Sequence, residues 1–164
     1  AHTLDAQAAM EHAFATLMAA FDGANLIHDV GYLGQGLLSN PASIVMCSEI
    51  ISYVKRIVRG FDISREKLAV DVIRDVGPGG HFLTVQHTKT HFQEELWQPK
   101  YVNRDSPEAW ASQGAISYEE VVTQKARDIL ATYEPAPLPE DVHRKINEIA
   151  SSAETGLAGI KFVS

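Results

Sequence analysis

One short apolar run, from Ala24 to Gly31, is the most strand-like segment in a chain whose other patterns are helical. A run of this length that ends in polar residues and glycine favours a buried strand over a helix. A single strand cannot satisfy its own backbone hydrogen-bonding groups, so it needs a neighbouring strand. The order helix, strand, helix is that of a slice through a β/α architecture, and we expect the missing strands to lie upstream of Ala1.

The rest of the sequence carries helical signals, which are apolar residues at helical spacing, N-cap residues and terminating glycines. Asn40 followed by Pro41 predicts the start of a long helix, and Ser117 with Glu120 forms an S-x-x-E capping box. The predicted helices are 5–21, 41–59, 64–76, 88–97, a short one opened by Ser106-Pro107, 117–133, and a last one carrying Val142, Ile146 and Ile149. The expected fold class is therefore mostly α with one or two short strands.

Composition restricts the partners of the chain. Among its 164 residues, 14 Lys and Arg stand against 21 Asp and Glu, which gives a net charge of −7. We therefore expect no nucleic acid and no membrane as partners, since both select basic surfaces. No apolar stretch reaches the roughly 18–20 residues that cross a bilayer. Cys47 is the one cysteine, so no intrachain disulfide forms, and the sequence predicts a cytoplasmic protein held together by its core.

Polar residues follow the predicted strand. His28, Asp29 and Tyr32 stand where β/α folds place ligand-binding groups, just past the end of a parallel strand. An imidazole beside a carboxylate orients a base for proton transfer, whereas a carboxylate with an aromatic ring holds a cation. The alternative is that these are ordinary turn residues beside glycines. The pattern alone leaves these interpretations open.

Three histidines, His81, His87 and His91, lie close together in the sequence. His87 and His91 are four residues apart, a spacing found in zinc sites when both lie on one helix. Thr88 is the better N-cap, which places His87 before the helix, and neither an HExxH motif nor a nearby cysteine completes a ligand set. We therefore expect no metal, and favour capping, packing or interface roles over a small zinc hydrolase.

Three other patterns favour structural roles. The glycine-rich 77–80 segment lacks the lysine and the βαβ context of a nucleotide-binding loop. Cys47 lies on the apolar stripe of its predicted helix, which is typical of a buried thiol. Trp97, Tyr101 and Trp110 either anchor an irregular segment to the core or form a cage for a quaternary ammonium.

Four longer segments carry a family resemblance. They are GANLIHDVGYL at 23–33, SEIISYVKRIVRGF at 48–61, LAVDVIRDVGPGGHFL at 68–83 and HTKTHF at 87–92. Together they resemble the C-terminal part of the trimethylamine methyltransferase family. The resemblance extends from the first helix to PAPLPEDV at 135–142, and its 71–83 run is long and distinctive.

The resemblance implies a TIM (β/α)8 barrel followed by a helical C-terminal extension. Residues 1–62 then correspond to the last β/α units, 63–156 to the helical extension and 157–164 to a flexible tail. A barrel needs all of its strands to enclose a substrate, so we expect this part to be inactive alone.

The same resemblance implies transfer of a methyl group from a methylamine or quaternary amine to the Co(I) of a corrinoid, which a separate partner protein carries. By this analogy Asp29 and Tyr32 bind the cationic substrate, and His28 suits the carboxylate of a betaine. No catalytic residue is assigned.

Two departures from the family pattern bear on the substrate. Trimethylamine-type members tend to have a tyrosine and small residues after the strand, whereas this chain has HDVGY at 28–32, which resembles the non-pyrrolysine, glycine betaine branch. Cys47 stands where many members have an aspartate. The pyrrolysine of trimethylamine-specific members would lie in a part of the barrel outside this chain.

The resemblance places His81, His87 and His91 near the barrel mouth or the corrinoid partner. An alternative of another class remains open, namely a helical interaction module that docks on the corrinoid protein or forms a homo-oligomer. Apolar surface that the barrel would otherwise bury is the feature that favours such association.

Overall fold

The computed structural model describes residues 1–157, with side chains described through residue 153. Contacts divide the chain into two compact units, Ala1–Ala131 and a second unit that begins at Thr132. Within the described range, every helix is too short or too polar to cross a membrane.

Helices make up most of the regular structure. They are α1 Ala6–Phe21, α2 Pro41–Arg59, α3 Arg65–Leu68, α4 Val70–Val76, α5 Gln86–Glu95, α6 Pro107–Ser112, α7 Tyr118–Thr132 and α8 Glu140–Leu157. One turn of 3-10 helix separates two short strands, β1 Tyr32–Leu33 and β2 Leu38–Ser39. The predicted class, mostly α with one or two short strands, is confirmed over the described residues, whereas the TIM barrel remains a prediction.

The strand predicted between Ala24 and Gly31 does not form. Most of this segment has no regular structure, and the strand that does form, β1, follows it and pairs antiparallel with β2. One reason lies at the end of the segment, where Asp29 has φ 61° and Gly31 has φ 89°, in the left-handed region that ends an extended run. No described strand lies beside the segment to pair with its backbone.

Several helices begin at the predicted capping residues. Asn40 Oδ1 accepts a first-turn N–H of α2 at 2.9 Å, and Ser64 Oγ accepts a first-turn N–H of α3 at 3.2 Å. The Ser117 hydroxyl donates to Glu120 Oε2 at 2.7 Å and accepts the Glu120 N–H at 3.2 Å. The capping box is therefore confirmed.

The helix predicted from Ser64 to Val76 is broken in two. Ala69 has φ 49°, so α3 ends and α4 begins at this residue. A left-handed alanine is strained by about 1–2 kcal/mol, which makes the break a specific local feature. The predicted stop at Gly77 is confirmed, because its N–H donates to the Ile73 carbonyl at 3.1 Å.

The helix α5 begins two residues before Thr88, its predicted N-cap. The Lys89 N–H donates to the Val85 carbonyl at 3.2 Å, which closes one more helical turn at the N-terminus. His87 therefore lies inside the first turn of α5, where the sequence prediction placed it outside.

The core of the first unit lies where α1, α2 and α7 meet. Ala8 on α1, Met46 on α2 and Val122 on α7 are at most 2% exposed. Cys47 is 1% exposed, which confirms the predicted buried thiol, and burial raises its pKa.

The larger apolar residues of α1 stay outside this core. Ala8 and Thr16 are the buried residues of the helix, since small side chains face α2. Of the five apolar side chains whose helical spacing predicts α1, Leu17 is half-buried, and the other four, Met10, Phe14, Met18 and Phe21, are exposed by 43–66%. This apolar face of α1 is therefore largely open to solvent within the described structure.

The second unit contains a proline-rich connector and α8. Val142, Ile146 and Ile149 fall on one helical face, as predicted, and are 38–68% exposed. The predicted tail at 157–164 lies outside the described residues apart from Leu157. The predicted boundaries at 62 and 156 refer to a complete barrel and stay predictions.

Candidate functional site

The loop before β1 holds two of the predicted site residues in direct contact. His28 Nδ1 lies 2.8 Å from Asp29 Oδ2, and the two side chains are 74% and 68% exposed. Since a carboxylate accepts, Nδ1 carries a proton and donates it to this hydrogen bond. The pair presents an oriented imidazole and a carboxylate to solvent.

The backbone after this pair is fixed to the start of α2. The buried Ser43 hydroxyl donates to the Gly31 carbonyl. A Cβ added to Gly31 would lie 2.7 Å from Ile44 Cγ1, and φ is +89° at this glycine. A side chain here would be both crowded and strained, so the position requires glycine. The His28–Asp29 pair consequently lies on a loop with one fixed end.

Tyr32, the third predicted residue, begins β1 and is 46% exposed. Among the described residues, no hydrogen bond or ion pair joins it to His28 or Asp29. The structure thus brings the His28 imidazole and the Asp29 carboxylate together. Tyr32 is exposed and is near them in the sequence, but it does not join their hydrogen bond. Its aromatic face is the kind of surface that attracts a cation.

Of the three histidines His81, His87 and His91, two are in contact and one lies apart. His87 and His91 face each other on α5, with ring centroids 4.5 Å apart and planes inclined by 52°. His81 lies in the loop before α5 and is exposed. In the part of the chain that the structure describes, no hydrogen bond or ion pair links His81 to the other two.

Contacts with α3 fix where the protons lie on this histidine pair. His87 Nε2 donates to the Glu66 carbonyl at 2.9 Å, because a carbonyl oxygen accepts. His91 Nε2 lies 3.2 Å from Glu66 Oε1, and its Nδ1 lies 3.4 Å from Lys67 Nζ. An ammonium donates, so Nδ1 accepts in this contact, and Nε2 is the nitrogen that donates to Glu66.

The surroundings of His87 and His91 do not resemble a metal centre. The Lys67 ammonium beside His91 repels a cation. Among the described residues, no three metal-ligating side chains come together in one group. The spacing that suggested zinc is instead used in contacts between α3 and α5.

Ion pairs join α2, α3 and α5 next to the histidines. Lys67 donates to Glu95 Oε1 at 2.6 Å, and Arg56 donates to the Glu95 carbonyl at 2.7 Å. Arg59 donates to the Glu94 carbonyl at 3.0 Å, so two arginines cap the C-terminal end of α5. The Lys67 hydrogen bond, together with the neighbouring arginine charges, lowers the pKa of the Glu95 carboxyl. The same bond raises the pKa of Lys67.

A buried carboxylate, Glu49, was not anticipated from the sequence. Glu49 is 2% exposed, and its Oε1 accepts the backbone N–H groups of residues 100–102 at 2.7, 3.0 and 3.4 Å. Several N–H donors stabilise a carboxylate charge inside a protein. A signal was present, because Glu49 follows Ala42 and Met46 at helical spacing, and all three are buried on α2.

The aromatic residues do not form a common cage. The Trp97 ring lies 3.7 Å from that of Tyr53, and its Nε1 donates to a hydroxyl of α2 at 2.8 Å. The Arg104 guanidinium lies 5.9 Å from the Trp97 centroid, so this ring already has a cation nearby. Trp110 instead donates to a backbone carbonyl just after α6. The predicted anchoring role is therefore confirmed for Trp97, which binds its segment to α2.

A cavity of about 350 Å³ lies beside Glu49. Its walls are mainly apolar side chains of α1 and α2, together with Val102 and Tyr118. Burial, with the nearby Glu49 charge as the next contribution, raises the pKa of Tyr118 to about 12. Tyr118 therefore keeps its proton near neutral pH.

Comparison with known proteins gives the family. Residues 1–156 match the model described as trimethylamine methyltransferase (MTTB). The chain is 35% identical over 150 residues to trimethylamine methyltransferase MttB of Desulfitobacterium hafniense, and 30% identical over 156 residues to MttB of Methanosarcina barkeri. It is 30% identical over 145 residues to glycine betaine methyltransferase of D. hafniense.

These alignments include almost the whole chain but a small part of each relative. They cover 92%, 95% and 88% of this chain, and 30%, 31% and 30% of the three relatives. The chain thus spans less than a third of the length of the relatives it matches. The resemblance carried by the four sequence segments is confirmed, and the chain belongs to the trimethylamine methyltransferase family.

Proposed function

We propose that the chain is the C-terminal part of a methyltransferase that moves a methyl group from a quaternary amine, of the glycine betaine type, or a methylamine to the Co(I) corrinoid of a partner protein. Family membership supports the reaction class. The observation that carries the site is the exposed His28–Asp29 pair, oriented by its own hydrogen bond on a loop fixed at Gly31.

The architecture proposed for the whole protein is a TIM barrel with a helical extension. Residues 1–62 belong to its last β/α units and residues 63–156 to the extension. The open apolar face of α1 supports this, since a barrel helix buries such a face against its neighbours. Segment 24–30 becomes a strand once neighbouring strands accept and donate its backbone hydrogen bonds.

The charge of the substrate decides what the protein must do. A quaternary nitrogen has no lone pair, and it leaves as a neutral tertiary amine when its bond to the methyl carbon breaks. No acid is therefore needed to protonate the leaving group. The Co(I) corrinoid, when bound, supplies the nucleophile. The residues of this chain orient the cation and exclude water from it.

Asp29 and Tyr32 suit the cationic end of such a substrate. The Asp29 carboxylate attracts the positive charge, and the Tyr32 ring offers an aromatic face to the alkylated nitrogen. His28 suits the other end of a betaine, because an imidazole protonated on both nitrogens donates a charge-assisted hydrogen bond to a carboxylate. Trimethylamine has no carboxylate, so the His28–Asp29 pair favours a betaine as the substrate.

The segment from His81 to His91 suits contact with the corrinoid partner, because its imidazole groups can donate hydrogen bonds. His81 is exposed in the loop before α5, whereas His87 and His91 are engaged with Glu66 and Lys67. We assign His81 to contact with the partner or its corrinoid. His87 and His91 hold the segment against α3.

A second candidate function rests on a different observation. Met10, Phe14 and Phe21 on α1 are 59–66% exposed, which is typical of a surface that another protein covers. A non-catalytic helical module that docks on the corrinoid protein, or associates with a second copy, accounts for this face. It predicts a stable complex without methyl transfer.

The test uses the full-length gene product that contains this chain, with reduced cobalamin and glycine betaine, and follows the loss of Co(I) absorbance. Asp29→Asn removes the charge that binds the cation, so we expect KM to rise about ten-fold, equivalent to about 1.4 kcal/mol. Asp62→Asn, at an exposed carboxylate after α2, is the matched control.

Two outcomes contradict the proposal. Unchanged kinetics in Asp29→Asn would remove this carboxylate from the substrate site. Complex formation with the corrinoid protein but no turnover with any methylated amine would favour the interaction module.

A further inference from the structure

Thr16 on α1 has a hydroxyl group without a hydrogen-bond partner among the described residues, although the residue is only 7% exposed. A helical threonine usually donates to the carbonyl four residues back, as Thr90 does to Gln86 at 3.0 Å on α5. Every fully buried side-chain oxygen or nitrogen in the described structure has a partner, so Thr16 Oγ1 keeps some accessible surface. An unpaired hydroxyl in an apolar setting is costly, and a bound ligand would satisfy it.

Thr16 lines a cavity of about 510 Å³, which is separate from the one beside Glu49. This volume falls within the range of small-molecule sites, about 300–1,000 Å³. The walls are α1, α2 and the irregular segment 24–30, and aliphatic side chains make up most of them. Polar groups of Thr16, Asn25 and Lys55 complete the lining, so the cavity is partly polar.

Lys55 gives this cavity its charge. Its side chain is exposed on α2, and its ammonium forms no hydrogen bond or ion pair within the described structure. The residues that line the cavity include no acidic and no aromatic side chain. A cationic ligand would therefore be repelled by Lys55 and would find neither a carboxylate nor an aromatic face. The cavity favours an anion, although the chain as a whole carries a net charge of −7.

The small number of donors restricts the class of anion. A phosphate group carries up to two negative charges on three oxygens, and protein sites meet it with several N–H donors. A carboxylate carries one charge on two oxygens, which one ammonium and one hydroxyl can satisfy. A hydrocarbon chain attached to that carboxylate would be removed from water by the aliphatic walls.

We propose that this cavity binds a small aliphatic monocarboxylate, with Lys55 as its counter-charge and the Thr16 hydroxyl as a hydrogen-bond donor. The site does not use the side chains of His28 and Asp29, and its ligand is not an amine. The proposal does not rest on the proposed function, because it follows from one unpaired hydroxyl, one unpaired ammonium and the aliphatic walls around them.

The test measures binding to the full 164-residue chain by amide NMR titration, with the backbone signals of Asn25 and Leu26 as reporters. The probes are hexanoate and hexanamide, which share a hydrocarbon chain and differ in charge. We expect hexanoate to bind about ten-fold more tightly than the amide, or better. Equal affinity for the two probes, or no shift of these signals with hexanoate, would overturn the proposal.

Lys55→Met removes the charge and keeps an apolar side chain at an exposed position, so the protein should fold normally. We expect affinity for hexanoate to fall about ten-fold and affinity for hexanamide to stay unchanged. Lys89→Met removes the same charge from an exposed position on α5 outside the cavity, and should leave both affinities unchanged. Unchanged hexanoate affinity in Lys55→Met would contradict the proposal.

Thr16→Val replaces the hydroxyl with a methyl group of similar size. If the hydroxyl serves a ligand, affinity for hexanoate should fall about five-fold, the equivalent of one hydrogen bond. The urea midpoint of the ligand-free protein should not fall, because the variant loses no hydrogen bond within the described structure. A lower midpoint, or unchanged hexanoate affinity, would contradict the role assigned to Thr16.

Discussion

Asp29 and Glu49 are carboxylates of the same unit in opposite surroundings. The Asp29 side chain is 68% exposed and contacts His28 on a loop, whereas Glu49 is 2% exposed and accepts three backbone N–H groups. An exposed charge contributes little to stability but is available to a ligand. A buried charge with several donors organises the backbone around it. The difference separates a residue suited to binding from one required for the fold.

Replacing Glu49 should have the largest effect on stability. Glu49→Ala leaves the N–H groups of residues 100–102 without their acceptor, which should lower the free energy of unfolding by about 3 kcal/mol or more. Glu49→Gln keeps an acceptor and should cost about 1 kcal/mol. Urea unfolding followed by circular dichroism measures both. If the two variants were equally stable, the carboxylate would not be organising this segment.

Gly31→Ala tests whether the loop that carries Asp29 is fixed as firmly as the structure indicates. The added methyl group meets Ile44 and forces an alanine into the left-handed region, which should cost about 2 kcal/mol or more. Gly36→Ala is the control, because Gly36 has φ 84° but open space around its Cβ, so strain alone should cost about 1 kcal/mol. Equal losses in the two variants would mean that the contact with α2 is not tight.

Glu95 is intermediate between the two carboxylates, being partly exposed and bonded to Lys67. Its lowered pKa means that its stabilisation is present above the usual carboxyl pKa and is lost as pH falls through the lowered value. Lys67→Met should shift the pKa of Glu95 back toward its usual value and weaken this loss of stability at acid pH.

Carboxyl NMR titration and thermal unfolding between about pH 2 and 6 measure the Lys67→Met effect. Lys89→Met, at an exposed position on α5, removes the same charge away from this bond. An identical pH profile for the two variants would show that the Lys67–Glu95 bond does not set the pKa of Glu95.

Asp29→Asn should have the smallest effect on stability. Asparagine tolerates the positive φ of this position as aspartate does, and an exposed pair contributes little. We expect the free energy of unfolding to change by less than about 0.5 kcal/mol in the urea assay. A loss above about 1 kcal/mol would make Asp29 a structural residue and remove the contrast with Glu49.

Local sequence signals predicted the elements that local contacts determine. Asn40, Ser64 and the Ser117–Glu120 pair cap helices with their own side chains, so sequence was sufficient to find these starts. The exposed His28–Asp29 contact was also foreseeable, because adjacent side chains on a loop readily meet.

The features that the sequence did not predict depend on contacts distant in the chain. Glu49 is buried because it meets residues 100–102, a partner that no nearby spacing identifies. The predicted strand does not form because Asp29 has a positive φ and because no described strand lies beside the segment. Its apolar run gave no indication of either. The helix is interrupted at Ala69, between α3 and α4, although alanine is the best helix former.

The most direct test of the central claim is methyl transfer by the full-length gene product with reduced cobalamin, followed by Co(I) absorbance with glycine betaine and trimethylamine in parallel. Our account predicts loss of Co(I) with glycine betaine. Loss with trimethylamine alone would contradict the betaine role assigned to His28 and Asp29. No loss with any methylated amine would contradict the proposed methyltransferase function itself.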